Sequence, residues 1–174
     1  VVAIIVTLIG IVLYLEMNSF QLSPAYPSYP NADINEKYIY QIIKDNILMS
    51  MPSIENEDES NFANYEILSI EKKSKNHYYV YAWIVESKYS YINGELNEES
   101  GSSYPCRYEL EEDDRVFTIV GKDIPRDGDY YKDDIDSYFP VYLREKIFNS
   151  QENGLVKDLS EGVEEEAKSY FENK

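Results

Sequence analysis

Apolar residues recur at helical spacing along the stretch after Asp33: Ile34, Tyr38, Ile42, Ile43 and Ile47 fall on one face. Asp33, with Glu36 three residues on, reads as a capping box. The spacing therefore predicts a helix from Asp33 to about Met49–Pro52. The periodicity stops at ENEDES (Glu55–Ser60), which reads as a solvated acidic loop rather than a metal site. YEILSI (Tyr65–Ile70) is then predicted as a strand, followed by a long one over Asn76–Ile92, rich in aromatic and β-branched residues. Asn93-Gly94 is a strong two-residue hairpin signal. A hairpin closed there pairs positions whose numbers sum to 187, so Trp83 faces Tyr104, Tyr81 faces Cys106, Tyr79 faces Tyr108 and His77 faces Leu110. That register puts apolar or aromatic residues together on one face, with a bulge near Ser100–Ser103 as the feature that would shift it. A turn at Glu111–Asp114, centred on Asp113-Asp114, places Phe117 near Leu110 and Ile119 near Tyr108.

Two C-terminal helices complete the pattern. Pro140 suits the first turn of one over Pro140–Asn149. The other spans about Leu155–Asn173, with Leu155, Val156, Leu159, Val163, Ala167, Tyr170 and Phe171 as its apolar stripe. The expected fold is α+β: an antiparallel meander sheet of about four strands, with an N-terminal helix and two C-terminal helices packed on one face. It occupies residues 33–174.

The first fifteen residues have no polar periodicity at all. VVAIIVTLIGIVLYL (Val1–Leu15) is uncharged and as a helix spans about 22 Å, short of the roughly 30 Å hydrocarbon core. We expect a transmembrane anchor over residues 1–17 whose N-terminal part precedes Val1. No small-residue cleavage site follows Leu15, and no cysteine stands where a lipoprotein needs one. The first basic residue is Lys37, so the positive-inside rule puts the remainder outside the cytoplasm. Residues 18–32 form a linker, and SPAYPSYPNAD (Ser23–Asp33), with its three prolines, is an extended spacer.

Composition narrows the function. Of 174 residues, 16 are Lys or Arg and 33 are Asp or Glu, a net charge of −17. Such a surface repels phosphate backbones, so nucleic-acid binding is set aside. It suits cationic or neutral partners. Cys106 is the one cysteine and His77 the one histidine. An intrachain disulfide, a Cys-x-x-Cys metal site and a His-Glu-x-x-His pair are all excluded. Cys106 reads as a small buried hydrophobe and His77 as a strand-edge residue. No catalytic residue, metal or cofactor is assigned. Carboxylates are numerous enough for acid–base work, but in so acidic a chain their number carries no signal.

IPRDGDYYKDDI (Ile124–Ile135) concentrates candidate chemistry. Pro125 fixes φ and Gly128 permits a positive φ, so Pro-Arg-Asp-Gly makes a turn, and Asp133 is placed to cap a short helix. Three readings compete: a structural corner, favoured by the turn chemistry; a calcium site, disfavoured because Pro125 falls where an EF-hand needs a ligand; and a recognition site. In the last, Arg126 receives a carboxylate between Tyr130 and Tyr131, beside Asp127 and Asp129. The aromatic sheet face reads either as core packing under the helices or as a binding groove near Tyr89 and Tyr91, where the sheet outruns the helices.

The runs ESGSSYP (Glu99–Pro105) and IPRDGDYYKDDIDSYFP (Ile124–Pro140), after the hairpin Tyr79–Ser103, resemble an extracytoplasmic domain of Gram-positive, largely clostridial, bacteria. In some of its relatives the domain follows the membrane part of beta-lactam-sensor-type metallopeptidases; in others it follows a single anchor. The resemblance covers about Tyr79–Phe171. It implies a membrane-tethered sensory or binding domain, with a small molecule, peptide or protein ligand outside the cytoplasm and no chemistry of its own. Two alternatives remain: an immunity-like or inhibitory acidic partner of a basic protein, and the non-catalytic tail of a membrane metallopeptidase.

Overall fold

The structure is a computed structural model that describes residues 36–114 and 116–174. The expected anchor, the linker and the start of the first helix at Asp33 lie outside the described residues. Among the described residues no helix is long and apolar enough to cross a membrane.

The elements run α1 (Glu36–Ser50), β1 (Glu59–Lys72), β2 (His77–Ile92), β3 (Glu95–Asp113) and β4 (Val116–Asp123). A short 3₁₀ turn (Gly128–Tyr130) then leads to α2 (Tyr131–Tyr138), α3 (Val141–Phe148) and α4 (Leu155–Glu172). The strands form one antiparallel sheet in the order β1-β2-β3-β4. The fold is thus the expected α+β meander, with an N-terminal helix and C-terminal helices. Three helices follow the sheet: the two expected C-terminal ones, and before them the short helix expected after Asp133, which begins earlier, at Tyr131. β1 begins at Glu59 rather than Tyr65, so the end of the acidic loop is already strand.

The hairpin closes where the sequence predicts. Asn93 and Gly94 take φ values of 55° and 85°, as a two-residue primed turn requires. Pairs sum to 187 from Ile92↔Glu95 to Tyr89↔Glu98. A bulge at Glu99 then adds one residue to β3, and every later pair sums to 188. Trp83 faces Pro105, Tyr81 faces Arg107, Tyr79 faces Glu109 and His77 faces Glu111. The expected pairings from Trp83 to His77 are therefore corrected by one residue. The bulge lies one residue before the stretch predicted to hold it. The second turn also shifts: Asp113 pairs with Val116, Phe117 with Glu112 and Ile119 with Leu110.

The one-residue shift separates two layers. Tyr78, Val80, Ala82 and Ile84 stand opposite Leu110, Tyr108, Cys106 and Tyr104 on one face. Tyr65, opposite Ile84, shares that face, and its hydroxyl donates to the Tyr40 carbonyl at 2.6 Å. So α1 packs here, burying Ile39, Tyr40, Ile43 and Ile47. The expected stripe is rotated, with Tyr38 58% exposed. On the opposite face Phe62, Tyr81, Trp83, Val85 and Tyr89 pack against α2, α3 and α4. Helices therefore cover both faces, not one. β2 is buried on each side from Val80 to Val85, which is why its own pattern could not show which residues face which layer.

Most of the predicted α4 stripe is buried; Tyr170 is 45% exposed, with its ring edge-on to Phe62. Cys106 is fully buried, and burial pushes its thiol up to about 12. His77 opens β2 and bonds Glu109 through Nε2 at 2.6 Å.

Candidate functional site

A groove of about 560 Å³ lies between the β2–β3 hairpin and α4. Val85, Ser87 and Tyr89 of β2 form its floor, residues 98–103 of β3 one wall, and Lys157, Ser160, Glu161 and Glu164 of α4 the other. The bulge at Glu99 shapes it. Glu98 folds back over Gly101 and accepts a hydrogen bond from the buried Ser87 hydroxyl at 2.7 Å. A Cβ on Gly101 would lie 2.6 Å from that carboxylate and 2.9 Å from Ser87 Oγ, so a side chain there would push Glu98 off Ser87. Trp83 Nε1 donates to Ser103 Oγ at 2.8 Å and holds the lower end of the wall. Glu99 points to the other face and receives the Ser90 hydroxyl.

The charge in the groove is one-sided. Glu98, Glu161 and Glu164 stand against Lys157 alone, and Lys157 is 3.6 Å from Glu161. Burial, with the nearby charges of Glu98 and Glu164, raises the Tyr89 pKa, so its hydroxyl keeps its proton and can donate. The surface offered is hydroxyls and carboxylates over an aromatic floor. It suits a cation with hydrogen-bond donors.

The Pro-Arg-Asp-Gly corner is a self-satisfied turn. Arg126 Nε and Nη2 donate to Asp134 at 2.8 and 2.7 Å, and the Arg126 backbone N–H donates at 2.9 Å to the same carboxylate. The guanidinium lies 4.3 Å from the centre of the Tyr130 ring. The fork that would receive an external carboxylate thus holds the chain's own Asp134, which is buried. Gly128 has φ 72°, as the turn reading requires. Asp127 and Asp129 are exposed, while Tyr131 is half-buried, its ring edge-on to Phe148. Asp133 does not cap α2: Tyr130 takes the cap position without a side-chain bond, and Asp133 lies in the first turn. Among the described residues no group of His, Cys, Asp and Glu converges as a metal cage.

The two sets of candidate residues do not meet. Arg126, Asp127, Asp129, Tyr130 and Tyr131 follow Asp123, which pairs with Arg107, itself opposite Tyr81. Tyr89 is eight residues beyond Tyr81, about 26 Å along the strand. Tyr89 lines the groove; Tyr91 instead stacks on Phe171, with centroids 5.5 Å apart. Sequence reasoning missed Ser87, Glu98, Gly101, Glu161 and Glu164. The one available signal was a glycine inside a strand, which marks close backbone approach.

The Arg126 corner has a testable acid dependence. Hydrogen bonds from the Arg126 side chain and backbone hold the Asp134 carboxyl at about 2, below its ordinary 3.8. A lowered carboxylate pKa stabilises the fold fully above the unfolded value and loses that contribution as pH falls through the folded one. Asp134→Asn is expected to lower the melting temperature at pH 7 and to narrow the gap from wild type between pH 4 and 2. Thermal melts across that range check it; a gap that stays constant rules out the linkage.

These features define the class: an α+β domain whose four-stranded meander is covered by one helix on one face and three on the other. Compared with family models, curated proteins and solved structures, the chain matches none.

Proposed function

We propose that this chain is a membrane-tethered, extracytoplasmic binding module that captures a cationic ligand in the groove between the β2–β3 hairpin and α4. The observation that carries the reading is the imbalance of three glutamates, Glu98, Glu161 and Glu164, against one lysine around a floor with a hydroxyl donor. The net charge of −17 adds long-range attraction for a cation. The apolar run Val1–Leu15 and the proline-rich spacer support the tether. Glu99–Ser103 of the ESGSSYP run, which carries part of the resemblance to an extracytoplasmic domain, line the groove. The reading assigns no catalytic step to the chain.

Spermine is a suitable probe, titrated into the full chain in detergent by calorimetry. Binding is expected at 20 mM salt and should weaken strongly at 150 mM, because the attraction is screened. Glu161→Gln with Glu164→Gln, both on the solvent side of α4, should weaken it by about tenfold or more without lowering stability. Affinity unchanged in the double variant would place the cation elsewhere and overturn the reading.

A further inference from the structure

The sheet has an incomplete edge. β4 pairs with β3 only from Arg107 to Asp113. From Glu95 to Cys106, β3 has β2 on one side and no strand on the other among the described residues. An unpaired edge presents backbone N–H and C=O groups that another strand can use. Residues 98–103 all line the groove. Successive side chains point to opposite faces, so a groove touching six in a row also runs along the strand's edge. Within it, Ser100, Gly101, Ser102 and Ser103 are small and exposed, leaving the backbone open to a second chain. Ser100–Tyr104 also pairs with β2 without a break in register.

We infer that this edge takes an extended basic peptide segment as an added strand, with its Lys or Arg side chains reaching the groove carboxylates. This rests on the cationic-ligand reading above and gives it a partner class. The occupant follows from charge. A second copy of the chain carries the same net charge of −17, so two copies repel as they approach edge to edge. A basic strand is attracted instead, with Glu98 beside it and Glu161 and Glu164 across the groove. The Glu99 bulge and Pro105, which has no N–H, bound the smooth part of the edge, limiting the pairing to about five residues.

The test uses the full chain in detergent and three probes: an acetylated, amidated octapeptide of alternating lysine and valine, the same peptide with every valine N-methylated, and spermine. The octapeptide should bind and slow amide hydrogen exchange within residues 96–104 by about tenfold or more. N-methylation removes the donors of one peptide edge and should weaken binding by roughly tenfold or more, with the charge unchanged. Spermine should bind without protecting those amides. If the two peptides bind equally and neither protects the edge, strand addition is overturned while the groove reading stands. If neither peptide nor spermine binds at 20 mM salt, both fall together. If the chain alone dimerises and protects the same amides, the edge takes a second copy and the basic-strand assignment is overturned.

Discussion

Phe139→Ala is expected to destabilise the domain by about 3–5 kcal/mol, lowering its melting temperature by roughly 10 °C or more. Phe139 is 2% exposed and joins α2 to α3, with its ring 5.7 Å from that of Tyr81. Its backbone N–H closes α2 onto the Ile135 carbonyl. The neighbouring chain cannot readily collapse into the space left behind, because Arg144 clamps the junction. Its guanidinium donates to the carbonyls of Phe139 and Asp136 at 2.9 and 2.6 Å, and to the Asp136 carboxylate at 2.9 Å. A cavity that persists costs both the transfer energy and the lost contacts. Urea unfolding measures the loss. Val141→Ala, two residues on but 75% exposed, is the control and should stay within about 0.5 kcal/mol. A Phe139→Ala loss below about 1 kcal/mol would mean that the junction repacks.

Arg107→Lys is expected to retain less than half of what Arg107 contributes, and Arg107→Ala to cost about 2–4 kcal/mol. Arg107 binds Asp123 through Nε and Nη2 at 2.9 and 2.7 Å, which ties the end of β4 to β3. The guanidinium also lies 4.7 Å from the Tyr79 ring centre and 5.3 Å from that of Tyr138, which holds α2 against the sheet. Its side chain is 19% exposed and that of Asp123 32%, so solvent screens the pair only in part. Lysine restores a charge but neither the planar fork nor the stacking surface. Equal stability of the lysine variant and wild type in urea would show that charge alone matters here. The ring contacts would then contribute nothing.

Both variants probe contacts that span elements far apart in the chain, and this is where sequence reasoning reached its limit. The Asn93-Gly94 turn was legible because only a few residues adopt the positive φ that a two-residue hairpin demands. The α4 stripe was legible because one face of that helix is wet, so the 3.6-residue period survives in the sequence. The pairings of Trp83, Tyr81 and Tyr79 were not legible. β2 is buried on both faces, and such a strand looks equally apolar in either register. The Glu99 bulge decided between them, and beside it Glu98 reaches Ser87 over Gly101.

The candidate site divides in the same way. The Pro-Arg-Asp-Gly turn was readable from its own residues, but the Asp134 partner of Arg126 belongs to a helix whose start the pattern placed three residues late. The groove was visible only as an expectation near Tyr89. Its opposite wall comes from α4, some sixty residues further along the chain, and no local pattern records that distance.

By itself, then, the sequence determined the class of fold, the hairpin turn, the polarity of α4 and the strong negative charge. Each follows from local backbone preference, from period or from composition. Only the tertiary structure decided that α1 and the C-terminal helices lie on opposite faces of the sheet, that Arg126 is satisfied within its own corner, and that β3 outruns β4 beside an acidic groove. The Arg126 pairing depends on the backbone path of its own corner, which brings Asp134 back across eight residues. The other two depend on a one-residue bulge and on contacts between distant segments, whose energies arise only once both faces of β2 are packed.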